Sequence, residues 1–448
     1  MSAFTYSQDQ LKQLAQDVLR FASNKGATSA AVEISEGTGL SVGVRRSKIE
    51  TIEQNKDKGV GVTVYIGQQR GNASSSDFSV EALKATVDAA YNIARFTAAD
   101  DCAGLPDADM LEMQPRDLKL FHAWKISTEE ALTIAQRCEA ASFAVDARIK
   151  NSEGAGVYVN QSQFVAANSA GFIGGYPFSR HTISVAPIAG RGAHMQRDYW
   201  YSSQRNPKKL AAPEAIGQYA AERALSRLHA RKLSTRKCPV LFEAPLAVGL
   251  IGALVHSVSG GALYRRSTFM LDSLGKQIFP KHIQLTEDPH IIGAAGSSAF
   301  DGEGVKTQKR DVVHNGVLQG YFLSTYSARK LGMKTTGNSG GSHNLAFTSS
   351  LTKSRDNFAA MLKKMGTGLL VTELMGDGVN YMTGDYSRGA SGFWVENGVI
   401  QYPVEEITIA GNLSDMFSQI VAIGADTLTR GTKQTGSILI ENMTLAGN

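Results

Sequence analysis

Several residue groups in this chain have the types and spacing that chemistry needs. Gly337-Asn338-Ser339-Gly340-Gly341 satisfies the GxSxG pattern of a serine nucleophile, with His343 and His256 as candidate bases. That pattern works only on a sharp turn with a strand before the serine and a helix after it. Here Lys334-Thr335-Thr336 precedes, and Asn344 to Phe347 reads as a strand. The residues therefore favour a flexible glycine loop that brings backbone N–H groups to a ligand or a neighbouring chain. A serine hydrolase using Ser339 and His343 remains the alternative. Asp301 and Glu303, in Phe300-Asp301-Gly302-Glu303-Gly304, either bind a cation or cap loop N–H groups. His256 closes an apolar run that starts at Ala244. At a helix C-terminus a histidine is stabilised by the negative end of the dipole.

Other chemistries are excluded. None of the nine histidines is followed by glutamate, so no HExxH zinc helix exists. Cys102, Cys138 and Cys238 are three in number and far apart, which rules out a disulfide framework or a CxxC clip. There is no GxxxxGK[ST] loop. Gly59 and Gly61 form a GxG inside a strand with no helix behind it, so no dinucleotide fingerprint is present.

The elements that must position these residues fall into two regions. Ser7 and Gln10 form a capping box for a helix over 8–25, closed by Gly26. Strands are expected at 29–34, 40–45, 48–54 and 59–66, then a helix over 80–96. The order recurs: a Ser127/Glu130 capping box opens a helix to 145, strands follow at 156–160, 164–168, 181–187 and 192–199, and a helix runs over 213–228. Two similar units, about 7–100 and 127–230, suggest a duplication within an N-terminal domain of residues 1–237. From Cys238 to the C-terminus glycine is frequent. Asn315-Gly316 and Asn397-Gly398 signal hairpins pairing 311–314 with 317–323 and 392–396 with 399–403. Helices are expected at 245–259 and 355–364. The fold class is α+β: tandem helix–strands–helix units followed by a strand-rich, Gly-looped domain over 238–448.

Composition narrows the function classes. The 448 residues are 42% hydrophobic and 19% charged, enough apolar material for sizeable cores. The net charge of +5 is weak for this length and its basic residues are scattered, which argues against nucleic-acid binding. The apolar run Ala244 to Val255 is far short of the roughly 20 residues that cross a membrane. With a polar N-terminus and unpaired cysteines, a cytoplasmic location is expected.

Long stretches carry a resemblance. GLSVGVRRSKIETIEQNKDKGVGVTVYIG, SGGALYRRSTFMLDSLGKQIF, FDGEGV, YFLSTYSARKLGMKTTGNSGGSHN and TGDYSRGASGFWVENGVIQYPVEEITIAGNL resemble the TldD/PmbA family, and its PmbA (TldE) branch in particular. The resemblance runs from about Gly39 to the C-terminus. It implies a cytoplasmic protein of a metallopeptidase family once called modulators of DNA gyrase. Such proteins form a TldD–TldE heterodimeric zinc protease acting on peptides and unfolded segments, including antibiotic-peptide precursors and antitoxins. In the TldD branch zinc is held by an H-E-x-x-x-H helix and a C-terminal cysteine, and the glutamate serves as base. On that pattern this chain keeps His256 but has Ser257 in place of the glutamate and Gly261 in place of the second histidine. Its last cysteine is Cys238. The resemblance therefore implies a subunit without zinc or catalytic residues of its own, paired with a zinc-bearing TldD-like partner and able to self-associate when alone. The loops expected to line a shared peptide chamber contain Asp301, Glu303, Gly304, Gly337, Asn338, Ser339, Gly340, Gly341, His343, Asn344, Asp385 and Ser387. The remaining reading is a regulatory binding protein of the gyrase-modulator type.

Overall fold

The computed structural model describes residues 4–447. The chain forms two compact units: one takes the residues through Leu225 with Ile291–Thr307 and Ser324–Lys330, the other Ser226–His290, Gln308–Leu323 and the residues from Leu331 on. Two stretches of the C-terminal half thus build on the first unit, which no single cut in the sequence reveals.

The first unit contains α1 (Gln8–Lys25), β1 (Ser29–Arg45), β2 (Lys48–Ile66), β3 (Gln69–Ser75) and α2 (Val80–Phe96). The pattern then repeats as α3 (Thr128–Val145), β4 (Ile149–Asn168), β5 (Ile173–Ala189), β6 (Gln196–Arg197), β7 (Trp200–Gln204) and α4 (Pro213–Ser226). Both capping boxes form, and Gly26 closes α1 at φ 100°. The repeats fuse edge to edge, because β1 pairs antiparallel with β4 from Ala31↔Asn168 to Val44↔Ala155. One seven-stranded sheet results, in the order β3-β2-β1-β4-β5-β6 with β7 also on β5. Its apolar face has a core in each half. Leu11, Val18, Leu83 and Val87 meet Ile34 and Val62 in the first, and Ala135 and Ile216 meet Val42, Val157 and Ile183 in the second.

The strands are longer than the sequence suggests. The expected breaks at Gly37–Gly39 and Asn55–Lys58 lie inside β1 and β2 and face each other, with Gly37↔Asp57 and Gly39↔Asn55. Glycine 39 supplies cross-strand room there, since a Cβ would lie 2.2 Å from Asn55 Oδ1. The strands expected at 156–160 and 164–168 are likewise one strand, and 181–187 is the middle of β5. The strand expected at 192–199 is corrected: a single 3-10 turn occupies Gly192–His194, and only the two-residue β6 precedes β7.

The second unit holds β8 (Arg236–Phe242), α5 (Ala244–Ser257), α6 (Gly260–Tyr264), β9 (Ile283–Asp288), β10 (Arg310–His314), β11 (Val317–Leu318), β12 (Asn344–Ser349), α7 (Phe358–Met365), β13 (Gly368–Met375), β14 (Asp385–Glu396), β15 (Val399–Asn412), α8 (Leu413–Ser418), β16 (Ile420–Ile423), β17 (Leu428–Arg430), β18 (Lys433–Thr435) and β19 (Ile438–Ala446). One sheet runs β11-β10-β9-β12-β18-β17. The other runs β15-β14-β13-β8-β19-β16, and pairing of β15 with β19 closes five of its strands into a ring. Both Asn-Gly pairs turn their hairpins with positive φ at both residues, 49° and 76° at Asn315-Gly316 and 52° and 75° at Asn397-Gly398. This mirror-image turn matches the twist of the flanking strands. The second strand of the first hairpin, expected to reach 323, stops at Leu318.

Candidate functional site

Helix α5 is apolar, starts with Pro245 in its first turn and ends at Ser257, with Val258 as C-cap. His256 stands exposed on its last turn, its ring 4.0 Å from that of Tyr381. Ser257 is fully buried, and its hydroxyl donates to the Ala253 carbonyl at 2.8 Å, inside its own helix. Ser259 caps the short helix α6, which carries Gly261. A Cβ on Gly261 would lie 3.0 Å from a guanidinium nitrogen of Arg265. The three positions of the metal pattern thus offer one imidazole, one hydroxyl already engaged with the backbone, and one glycine. Zinc needs three or four N, S or O ligands in tetrahedral reach. No group of three or more His, Cys, Asp or Glu side chains that could hold a metal occurs among the described residues. These residues do not fit a zinc ion.

The cysteines are poor ligands as well. Burial pushes the Cys138 thiol up to about 12 and the Cys238 thiol up to about 11. In the folded protein both resist iodoacetamide at neutral pH, because the thiolate is the reactive form. The half-exposed Cys102 is labelled first. Peptide mapping of labelled sites checks this; labelling of Cys138 ahead of Cys102 in the native state contradicts it.

The glycine loop of the second unit is anchored by residues that the sequence did not single out. Glu287 and Arg310 face each other across β9 and β10. The Glu287 carboxylate is 1% exposed and accepts from Arg310 Nε at 2.8 Å, from Asn338 Nδ2 at 2.9 Å and from the His343 backbone N–H at 2.8 Å. Arg310 also donates to Asn338 Oδ1 at 3.1 Å and stacks over Phe322 at 5.0 Å. Asn338 Nδ2 reaches the Gly341 carbonyl as well, and His343 Nε2 lies 2.9 Å from the Gly337 carbonyl. Gly337, Gly340 and Gly341 all have φ between 69° and 118°. At Gly340 and Gly341 a Cβ would meet nothing within 4 Å, so backbone conformation and not crowding calls for glycine there. Asn344 opens β12 and donates to the Asp288 carbonyl at 2.8 Å. Ser339 thus sits in a loop followed by a strand, without the strand–turn–helix setting of a nucleophile, and His343 faces a backbone carbonyl.

Asp385 and Ser387 lie on β14. Asp385 accepts from Thr383 Oγ1 at 2.6 Å and from Asn412 Nδ2 at 3.3 Å, and Ser387 N–H donates to the Gly378 carbonyl at 2.6 Å. These bonds fold the 376–384 segment back, and Phe269 N–H holds Tyr381 by its carbonyl at 2.8 Å. Tyr381 in turn lies on His256. The segment with Asp385 and the end of α5 are therefore neighbours.

Asp301, Glu303 and Gly304 belong to the first unit. Asp301 is 4% exposed and accepts from the N–H groups of Glu303 and Val305, each at 2.9 Å. Glu303 accepts from Thr325 N–H at 2.9 Å. Gly304, at φ 82°, lies against the Phe172 ring, 2.6 Å from where a Cβ would be. Both carboxylates are occupied with backbone donors.

Comparison with known proteins gives this arrangement its context. Residues 30–94, 121–228 and 235–447 match, in turn, domain 1, the central domain and the C-terminal domain of the PmbA/TldA metallopeptidases. The chain is 47% identical to Metalloprotease PmbA of Escherichia coli O157:H7 over 98% of its own length and 96% of that protein's. Among solved structures it is similar to a candidate modulator of DNA gyrase from Bacteroides thetaiotaomicron, with 27% identity, a TM-score of 0.91 and coverage of 98% and 99% of the two chains. It also shares the fold of TldE from Thermococcus kodakarensis, with a TM-score of 0.83 at 19% identity over 97% and 100%. The three matched stretches together span most of the sequence, and the chain belongs to the PmbA/TldE family of metalloproteases.

Proposed function

We propose that this chain is the non-catalytic subunit of a TldD/TldE-type zinc metalloprotease, pairing with a TldD-like chain that carries the metal. Its part is to close the partner's active-site chamber and admit extended peptides or unfolded segments. The observation that carries this reading is the state of the metal pattern. Ser257, at the position of the catalytic glutamate, spends its hydroxyl on its own helix, and Gly261 offers no ligand. The stretches 300–305, 336–344 and 383–392, the last of them mostly strand β14 and not the loop expected, are assigned to the chamber wall. Strand-rich, glycine-looped surfaces suit this task, because main-chain hydrogen bonds hold an extended peptide without demanding one sequence. The cytoplasm is the proposed location, and no helix among the described residues is long and apolar enough to cross a membrane.

Reconstitution tests the assignment. Zinc content by elemental mass spectrometry and cleavage of a fluorescein-labelled unstructured peptide are measured for this chain, for the TldD-like chain and for the pair. The pair is expected to hold about one zinc, in the partner's three-ligand site, and to cleave in a chelator-sensitive manner. This chain alone is expected to hold near-zero zinc and to cleave nothing. Stoichiometric zinc with chelator-sensitive cleavage by this chain alone overturns the proposal.

A further inference from the structure

Strand β14 carries an arginine on the wrong side for a charge. Pairing with β15 sets Tyr386, Arg388 and Ala390 opposite Gly411, Ile409 and Ile407. Residues directly opposite on an antiparallel pair share a face. Ile409 and Ala390 are fully buried, and Ile407 and Tyr386 nearly so, so this is the apolar face of the strand ring. A guanidinium there gives up hydration and needs a partner in return. Two other deeply set arginines of this unit have a carboxylate: Arg310 pairs with Glu287 and Arg227 with Glu373. Arg388 has the Tyr386 hydroxyl as a hydrogen-bond partner in place of a carboxylate. Its Nε is withdrawn from solvent with no hydrogen-bond partner, and no carboxylate among the described residues pairs with it.

The surroundings supply donors. The Tyr386 phenol lies beside the guanidinium and its oxygen accepts a hydrogen bond from it; burial pushes the phenol up to about 12 while the Arg388 charge and that bond pull the other way, so it keeps its own proton to donate elsewhere. Tyr381 lies close enough to influence Tyr386, and its ring packs on His256. A fork of N–H groups, two phenols and an imidazole, with no carboxylate among them, complement an anion of carboxylate shape. The planar guanidinium grips a carboxylate through two parallel hydrogen bonds, which a point-charge lysine cannot do.

We propose that Arg388, with Tyr386 beside it and Tyr381 and His256 beyond, is a binding site for a carboxylate of an extended peptide, either its C-terminus or an aspartate or glutamate side chain. This rests on the reading of the chain as a peptide-handling subunit and adds a specific anchor to it. The site lies at the end of α5, next to the remnant of the metal pattern, so the anchored carboxylate fixes where along its length a peptide is held.

The test uses the full chain, alone and reconstituted with its TldD-like partner. A fluorescein-labelled, Gly/Ser/Ala decapeptide with a free C-terminal carboxylate is titrated by fluorescence anisotropy, beside the same peptide with an amidated C-terminus and an amidated peptide with one internal aspartate. Loss of one charge-assisted bidentate contact is expected to weaken binding about tenfold or more. Amidation should cause that loss in the wild type and no further loss in Arg388→Gln, which itself binds the free-acid peptide as weakly. Recovery of affinity by the internal aspartate in the wild type assigns the site to side chains as well as to the terminus. Equal affinity for the free-acid, amidated and aspartate peptides overturns the anchor and leaves the peptide reading standing. Failure of every peptide to bind, to the chain and to the pair, overturns both. Thermal unfolding confirms that Arg388→Gln is folded; where it is not, the amidation comparison in the wild type decides.

Discussion

Glu287→Ala is expected to destabilise the second unit by about 3–5 kcal/mol, the usual cost of removing one member of a buried ion pair. The carboxylate is 1% exposed and accepts three hydrogen bonds, from Arg310, Asn338 and the His343 N–H. Its loss leaves the Arg310 charge, which is 18% exposed, facing apolar surroundings, and orphans two further donors. The pair itself is not the source of net stability, because apolar residues of similar volume often replace such pairs at no cost. Glu287→Leu combined with Arg310→Met should therefore recover a large part of the loss, although the Asn338 and His343 donors stay unpaired. Local hydrogen exchange over residues 336–344 separates loop release from global unfolding. The loop should exchange faster in both variants, whereas the unfolding midpoint should fall steeply only in the single one. A single variant within about 1 kcal/mol of the wild type shows that the network does not anchor the loop.

How much of this was readable beforehand depends on whether the signal is local. The Ser7 and Ser127 boxes and the two Asn-Gly hairpins are complete within a few residues, and the structure forms all of them. The long strands are not legible as single strands, because Gly37–Gly39 and Asn55–Lys58 look like turns until each is seen as the other's cross-strand partner. The same limit hid the charged residues of the site. Glycine content marks the 337–341 loop in the sequence. Nothing local, however, tells that Glu287 is the buried residue holding it, since that follows from the register of β9 against both β10 and β12. Arg388 left a faint trace: alternation along β14 puts it in phase with Tyr386 and Ala390, but only the pairing with β15 makes that phase the buried one.

Two glycines in helices give opposite expected results for the same substitution. An alanine in a helix interior is favoured over glycine by about 1 kcal/mol through backbone entropy and hydration. At Gly249 in α5 a Cβ meets nothing within 4 Å, so Gly249→Ala should realise that gain. At Gly217 in α4 the propensity is the same and the packing is not. The Cβ would sit 2.2 Å from the Cys138 carbonyl, 3.0 Å from the Ala141 Cβ and 3.1 Å from the Ser142 N. These are atoms of α3, and the nearest is backbone, so no side-chain rotation relieves the clash. The two helices must separate, opening the core where Ile216 and Ala220 meet Ala131, Ala135 and Cys138. Overpacking of a rigid contact costs about 1–3 kcal/mol and more where backbone must move. Gly217→Ala should therefore lose about 2 kcal/mol or more net of the propensity gain. Denaturant unfolding of both variants, followed by probes in each unit, reads the two signs separately. A stabilised Gly217→Ala variant would mean that α3 and α4 slide apart freely, and that the close helix crossing does not hold the second repeat on its half of the sheet.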